Sequence, residues 1–162
     1  MKTILVYSRH GLNEGYTRAM TRTALLPPIP REDISATLLR FGISPTPQRV
    51  EVAALLLERT QHLSADQVLA RLLENDAPVS KATVYNTLGL FAARGLVREV
   101  MVDATKVFYD SNTSSHHHFF NIDDGTLLDV ASGDVVIDQL PDAPAGTRTD
   151  SVDIVIRVRN QR

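Results

Sequence analysis

The hydrophobic period of this chain changes at Gly95, and that change constrains the fold more than any other feature. Before it, apolar residues recur at three- and four-residue spacings in four blocks separated by capping and breaking residues. Ile34, Leu38, Leu39 and Phe41 form the first block, stopped by Gly42. A second begins near Ser44-Pro45-Thr46-Pro47 and carries Val50, Ala53, Ala54 and Leu57. Ser64 has the character of the N-cap of a third, with Gln67 at the capping-box position ahead of Val68, Leu69, Leu72 and Leu73. Ser80 caps a fourth that turns Val84, Leu88 and Phe91 inward and ends at Gly95.

After Gly95 the pattern is that of strands. Leu96–Val102 and Lys106–Tyr109 read as a hairpin turning at Asp103-Ala104-Thr105. Helices followed by a short hairpin predict a winged helix-turn-helix over residues 31–110. Residues 111–162 predict a small α/β domain, with strands at His118–Ile122, Thr126–Val130 and Val152–Val158 and a short helix at Ala131–Leu140 capped by Ser132. Asp124-Gly125 is a hairpin signal between the first two strands. In the last, Val152, Ile154, Ile156 and Val158 alternate with Asp153, Val155, Arg157 and Arg159, which predicts one buried face. A domain this small buries little core by itself, so a homodimer is expected. The fold class is therefore α+β. Residues 1–30, weakly periodic and closing on Pro27-Pro28-Ile29-Pro30, read as a mobile arm.

No apolar run approaches the roughly 18 residues that span a bilayer, and Ile4-Leu5-Val6 is too short for a secretory core, so no membrane association and a cytoplasmic location are expected. The chain contains no cysteine, so any metal must be held by nitrogen and oxygen. The net charge of −2 is unevenly spread: residues 111–162 carry eight aspartates against four arginines, whereas residues 1–30 carry four basic groups against Glu14 alone. A surface in the N-terminal part can still be locally positive.

Two features carry chemistry. In His116-His117-His118, a strand would place His116 and His118 on one face and His117 on the other. With Asp110 and Asp129 nearby, such a set suits Fe(II), Mn(II) or Zn(II); the bland reading is a polar strand whose histidines face water. His62 sits between two predicted helices, where it is a candidate fifth ligand or an ordinary loop residue. In the fourth helix, Ser80, Lys81 and Thr83 stand in or beside the first turn, where phosphate binds, and Tyr85 and Asn86 follow where side chains reach base edges or thymine methyls. Arg49 and Lys106 are expected backbone contacts, so double-stranded operator DNA is the expected partner. The rival is an ordinary amphipathic helix with a polar outer face. A metalloenzyme with a two-histidine, one-carboxylate centre is a further reading, but it requires an open coordination position and a general base.

Thr46-Pro47-Gln48-Arg49, His62-Leu63-Ser64-Ala65-Asp66, Ala82-Thr83-Val84-Tyr85-Asn86-Thr87-Leu88 and Gly95-Leu96-Val97, with the triple histidine, resemble the ferric uptake regulator family over roughly residues 43–130. The resemblance implies a transcription regulator, not an enzyme, with a regulatory metal site at His62, Asp110, His116, His118 and Asp129. Asp129 is similar to the family's peroxide-sensing branch, in which Fe(II) promotes oxidation of a ligand histidine; this is the alternative reading. The paired CxxC motifs that hold a structural zinc in other members are absent, so no four-cysteine zinc site is expected. Within the family, Val102-Asp103, Tyr109-Asp110-Ser111-Asn112 and the ending Asp153–Arg159 look like the iron response regulator subgroup. That likeness implies control of iron and haem genes and haem binding at His116, His117 and His118.

Overall fold

The computed structural model describes residues 27–161. They form two compact units that divide between Ser114 and Ser115. Residues 1–26 of the expected arm lie outside the described residues. At its end, the Ile29 N–H donates to the Leu57 carbonyl (2.8 Å).

The first unit holds four α-helices and a three-stranded sheet. After a 3-10 turn at Arg31–Asp33, helix α1 spans Ile34–Arg40 and buries Ile34, Thr37 and Leu38. It stops because Gly42 takes a left-handed conformation (φ +68°), which returns the Ile43 N–H to the Leu38 carbonyl at 2.9 Å. Helix α2 (Pro47–Leu57) starts where Thr46 accepts from the Arg49 N–H and Pro47 supplies a preset φ. Helix α3 (Ala65–Glu74) opens with a complete capping box: the Gln67 N–H donates to Ser64 Oγ and the Ser64 N–H donates to Gln67 Oε1. Helix α4 (Lys81–Arg94) is capped by Ser80 and closed by Gly95 at φ +72°. Their inward faces make one core of Ile34, Leu38, Val52, Leu56, Leu57, Val68, Leu72, Val84, Leu88, Phe91 and neighbours.

The sheet follows. Strands β2 (Arg98–Asp103) and β3 (Lys106–Asp110) pair through a turn in which the Asp103 carboxylate accepts from both the N–H and the hydroxyl of Thr105, at 2.8 Å each. Those two bonds, the backbone one first, hold the Asp103 carboxyl below its usual pKa. His62, expected in a loop, instead lies on strand β1 (His62–Leu63), which adds to the other edge of β3 with His62 opposite Asp110. The strand order is β1-β3-β2.

In the second unit, β4 (His116–Asn121) is central, antiparallel to β5 (Leu127–Ala131) and parallel to β6 (Val155–Val158). Phe120 and Leu127, directly opposite each other, are buried. Asp123 closes the sheet end by accepting from Arg159 Nη1 and from the Asn160 N–H, at 2.9 Å each. The helix expected at Ala131–Leu140 does not form: only a 3-10 turn at Ser132–Asp134 is present. Gly133 and the β-branched run Val135-Val136-Ile137 are poor helix formers, and Pro141 and Pro144 prevent any extension.

Candidate metal centre

Each unit carries its own histidine–aspartate group. In the first, His62 and Asp110 face each other across the β1–β3 pair, with Nε2 3.5 Å from Oδ1 and both side chains nearly or fully buried. The Asn112 N–H donates to Asp110 Oδ1 at 2.8 Å, which fixes the carboxylate's direction. In the second, His116 and His118 share one face of β4, their ring centroids 4.6 Å apart. His118 is directly opposite Asp129 in register, and the Asp129 Oδ1 lies 3.4 Å from His116 Nε2. One donor atom from each of these three side chains lies within 4.8 Å of the others.

These distances test the fit of a metal. A charge-assisted N–H···O bond favours ~2.7–2.9 Å, shorter than either pair. Bonds of ~2.0–2.2 Å to a shared divalent ion would leave neighbouring donor atoms roughly 3.0–3.5 Å apart, depending on geometry. The separations of 3.5 Å and 3.4 Å match the second case. A set of imidazole and carboxylate donors, largely buried apart from the exposed Asp129, is suited to Fe(II), Mn(II) or Zn(II). His117 is also buried but belongs to the opposite face of β4, so the three consecutive histidines do not present to one ligand together.

Sequence reasoning missed the residues that hold the first group in place. The Gln61 N–H donates to Ser111 Oγ (3.0 Å), and the Ser111 N–H returns to the Gln61 carbonyl (3.2 Å). The Ser111 hydroxyl donates to the Arg59 carbonyl (3.1 Å). Gln61 Oε1 accepts from Arg71 of α3 (2.9 Å), while its amide nitrogen donates to the Leu55 carbonyl (2.6 Å). This web flanks His62 and Asp110 directly, one residue to each side. A glutamine and a serine far apart in sequence give no periodic or motif signal of it.

The candidate DNA-reading residues lie on or near α4. Ser80 Oγ accepts from the Thr83 N–H (3.1 Å) and lies 2.8 Å from the Thr83 hydroxyl, so both polar groups are used in the cap. Asn86 is exposed, and Tyr85 is 40% exposed. Arg49 Nη1 donates to the Ser44 carbonyl (3.0 Å), and Lys106 stands 5.2 Å from the Phe108 ring centre. Asp66 of α3, not singled out by the sequence, contacts both Lys81 and Tyr85: the Tyr85 hydroxyl donates to its Oδ1 (2.9 Å) and Lys81 Nζ lies 3.3 Å from the same atom. The phenol's hydrogen bond and then the ammonium hold the Asp66 carboxyl below its usual pKa. No helix among the described residues is long and apolar enough to cross a membrane.

Comparison with known proteins agrees with these features. The chain is 32% identical over 98 residues to a peroxide-responsive repressor, PerR, of Staphylococcus aureus, covering 60% of this chain and 66% of that one. It thus spans just under two thirds of that curated relative's length. Its fold is similar to that of the ferric uptake regulator of Francisella tularensis, solved with iron (TM-score 0.62, 23% identity, 75% of this chain and 94% of that one). It is also similar to the ferric uptake regulator of Pseudomonas aeruginosa, solved with manganese (TM-score 0.61, 23% identity, 80% and 98%). The family pattern itself runs through residues 40–155, across both units and every strand that carries the two histidine–aspartate groups, which makes this chain a member of the Ferric uptake regulator family.

Proposed function

We propose that the protein is a homodimeric, metal-responsive transcription regulator of iron and haem genes that reads operator DNA with α4 of a winged helix-turn-helix. The observation that carries this reading is the pair of histidine–aspartate groups at metal-ligand spacing, one in each unit, with a capped helix in the first unit that leaves Lys81, Tyr85 and Asn86 exposed. His62 and Asp110 would hold one divalent ion together with His116, His118 and Asp129. When bound, such an ion would supply positive charge to the carboxylates and imidazoles that converge on it. By holding it, His62 and Asp110 would link the unit bearing α4 to the strand bearing His116 and His118. Residues 111–162 would serve dimerisation, supported by the exposed apolar pair Phe119 and Leu128 on facing strands. The angle between the two α4 helices of a dimer then decides whether half-sites about one or more helical turns apart are matched. A differential affinity of a few kcal/mol is enough for such a switch.

The assignment is tested by gel shift with metal-free protein, with Mn(II) as a redox-stable substitute for Fe(II), and with haemin. Binding that needs Mn(II) and is released by haemin supports iron and haem control, with haem on the face of β4 that bears His116 and His118. The His116→Ala, His118→Ala double variant is expected to lose the metal response while keeping its fold and dimer. A double variant that responds normally overturns the assignment. The peroxide-sensing reading draws support from likeness to the staphylococcal repressor and from the carboxylate at Asp129. It requires that peroxide treatment of the Fe(II)-loaded protein add the mass of one oxygen atom to His62 or His116.

A further inference from the structure

Asp66, Lys81 and Tyr85 form a closed cluster on the face of α4 that the function above assigns to DNA. Lys81 and Tyr85 are one turn apart on α4, with the ammonium 5.3 Å from the ring centre, and both converge on a single oxygen of Asp66. Asp66 stands in the first turn of α3, between the buried anchors Ala65 and Val68 and inside the Ser64–Gln67 capping box, so its backbone is firmly placed. The side chains of Asp66 and Lys81 are 71% and 66% exposed. An ion pair this open contributes little to folding. Its effect belongs to whatever polyanion approaches.

We propose that Asp66 is a specificity-determining residue of the DNA-reading helix, fixing the Tyr85 phenol and offsetting the charge of Lys81. This rests on the reading of α4 as the DNA-contacting element. Two consequences follow from the geometry. First, a carboxylate at 3.3 Å from Lys81 Nζ competes with any phosphate for that ammonium, and its own charge repels the backbone. Sequence-independent affinity is therefore held down. Second, the hydrogen bond holds the Tyr85 ring in one orientation before DNA arrives, so less side-chain freedom is lost when it meets a base edge or a thymine methyl. Sequence-dependent affinity is thereby kept. Specificity is the difference between these two affinities, and Asp66 acts on both.

The test uses the full chain loaded with Mn(II), a duplex enriched by the wild-type protein from a random pool, and a shuffled duplex of the same composition. Anisotropy titrations are run over a series of salt concentrations. Asp66→Asn keeps an acceptor for the Tyr85 hydroxyl and removes the charge. It is expected to bind the shuffled duplex several-fold tighter, with a salt slope steeper by about 0.9 as Lys81 gains a phosphate. The ratio of enriched to shuffled affinity falls accordingly. Tyr85→Phe keeps the ring and removes the anchor. It should weaken binding to the enriched duplex by a larger factor than to the shuffled duplex, so the ratio falls without the steeper salt slope of Asp66→Asn. Thermal unfolding of both variants monitors the fold. If Asp66→Asn leaves slope and ratio at their wild-type values, the specificity role is overturned and the DNA-binding reading stands. If the wild-type protein enriches no duplex at all, both fall together.

Discussion

Replacing Ser111 by alanine should expose how closely the stability of the helical unit and the first metal half-site depend on each other. Ser111 is fully buried, and its hydroxyl is the acceptor for the Gln61 N–H at 3.0 Å and a donor to the Arg59 carbonyl at 3.1 Å. Alanine fits the space but leaves a buried backbone N–H without that acceptor, a loss of about 1–3 kcal/mol. The Ser111 N–H to Gln61 carbonyl bond survives, so β1 stays paired with β3 and the loss should not exceed that range. For a unit of this size, each kcal/mol lowers the midpoint by about 4–8 °C. The assay is thermal and urea unfolding of metal-free protein by circular dichroism, followed by Mn(II) titration of the folded variant. Because Gln61 and Ser111 flank His62 and Asp110, Mn(II) affinity should also fall, by roughly 10-fold or more, as for other groups that orient ligands. A variant within ~0.3 kcal/mol of wild type in unfolding, with unchanged Mn(II) affinity, would refute the reasoning.

Three further outcomes are expected. Phe91→Ala removes a side chain with no exposure from the centre of the helical core and should destabilise by about 3–5 kcal/mol in urea unfolding. Ser64→Ala breaks the capping box at the start of α3 and should lose about 1 kcal/mol, with helicity only slightly reduced. The fold lowers the Asp66 carboxyl pKa, so the charge it favours is fully present above the ordinary carboxylate value and is lost only as pH falls through the lowered one. The difference in shuffled-duplex affinity between wild type and Asp66→Asn should therefore stay constant from roughly pH 5 to 8. A difference that fades within that window would contradict the hydrogen-bonded carboxylate seen here.

The four helices of the first unit were legible because their ends are written locally: Thr46, Ser64 and Ser80 cap within three residues, and Gly42 and Gly95 terminate by a backbone conformation other residues avoid. The two-residue strand at His62 was not legible, since it has no period and exists only because Asp110 and Tyr109 lie opposite it in β3. The short helix expected after Ala131 failed for the converse reason, an apolar spacing unsupported by the β-branched residues that produce it. The histidines and aspartates were legible from residue type, from strand alternation at His116 and His118, and from resemblance to family motifs. Their supports, Gln61, Ser111 and Arg71, and the Asp66 contact to α4, are long-range hydrogen bonds between ordinary polar residues and leave no trace in spacing.

The central position of β4 has a consequence for errors in assembly. It is bonded on one side to an antiparallel hairpin partner and on the other to a parallel strand that arrives more than thirty residues later. A slip of β4 by a single residue would turn His117 toward Asp129 and send His116 and His118 to the other side of the sheet. Such a slip would have to break two ladders of opposite direction at once. A misaligned sheet here would be a protein with the wrong donor atoms, so the pairing of β4 guards a chemical identity as much as a shape.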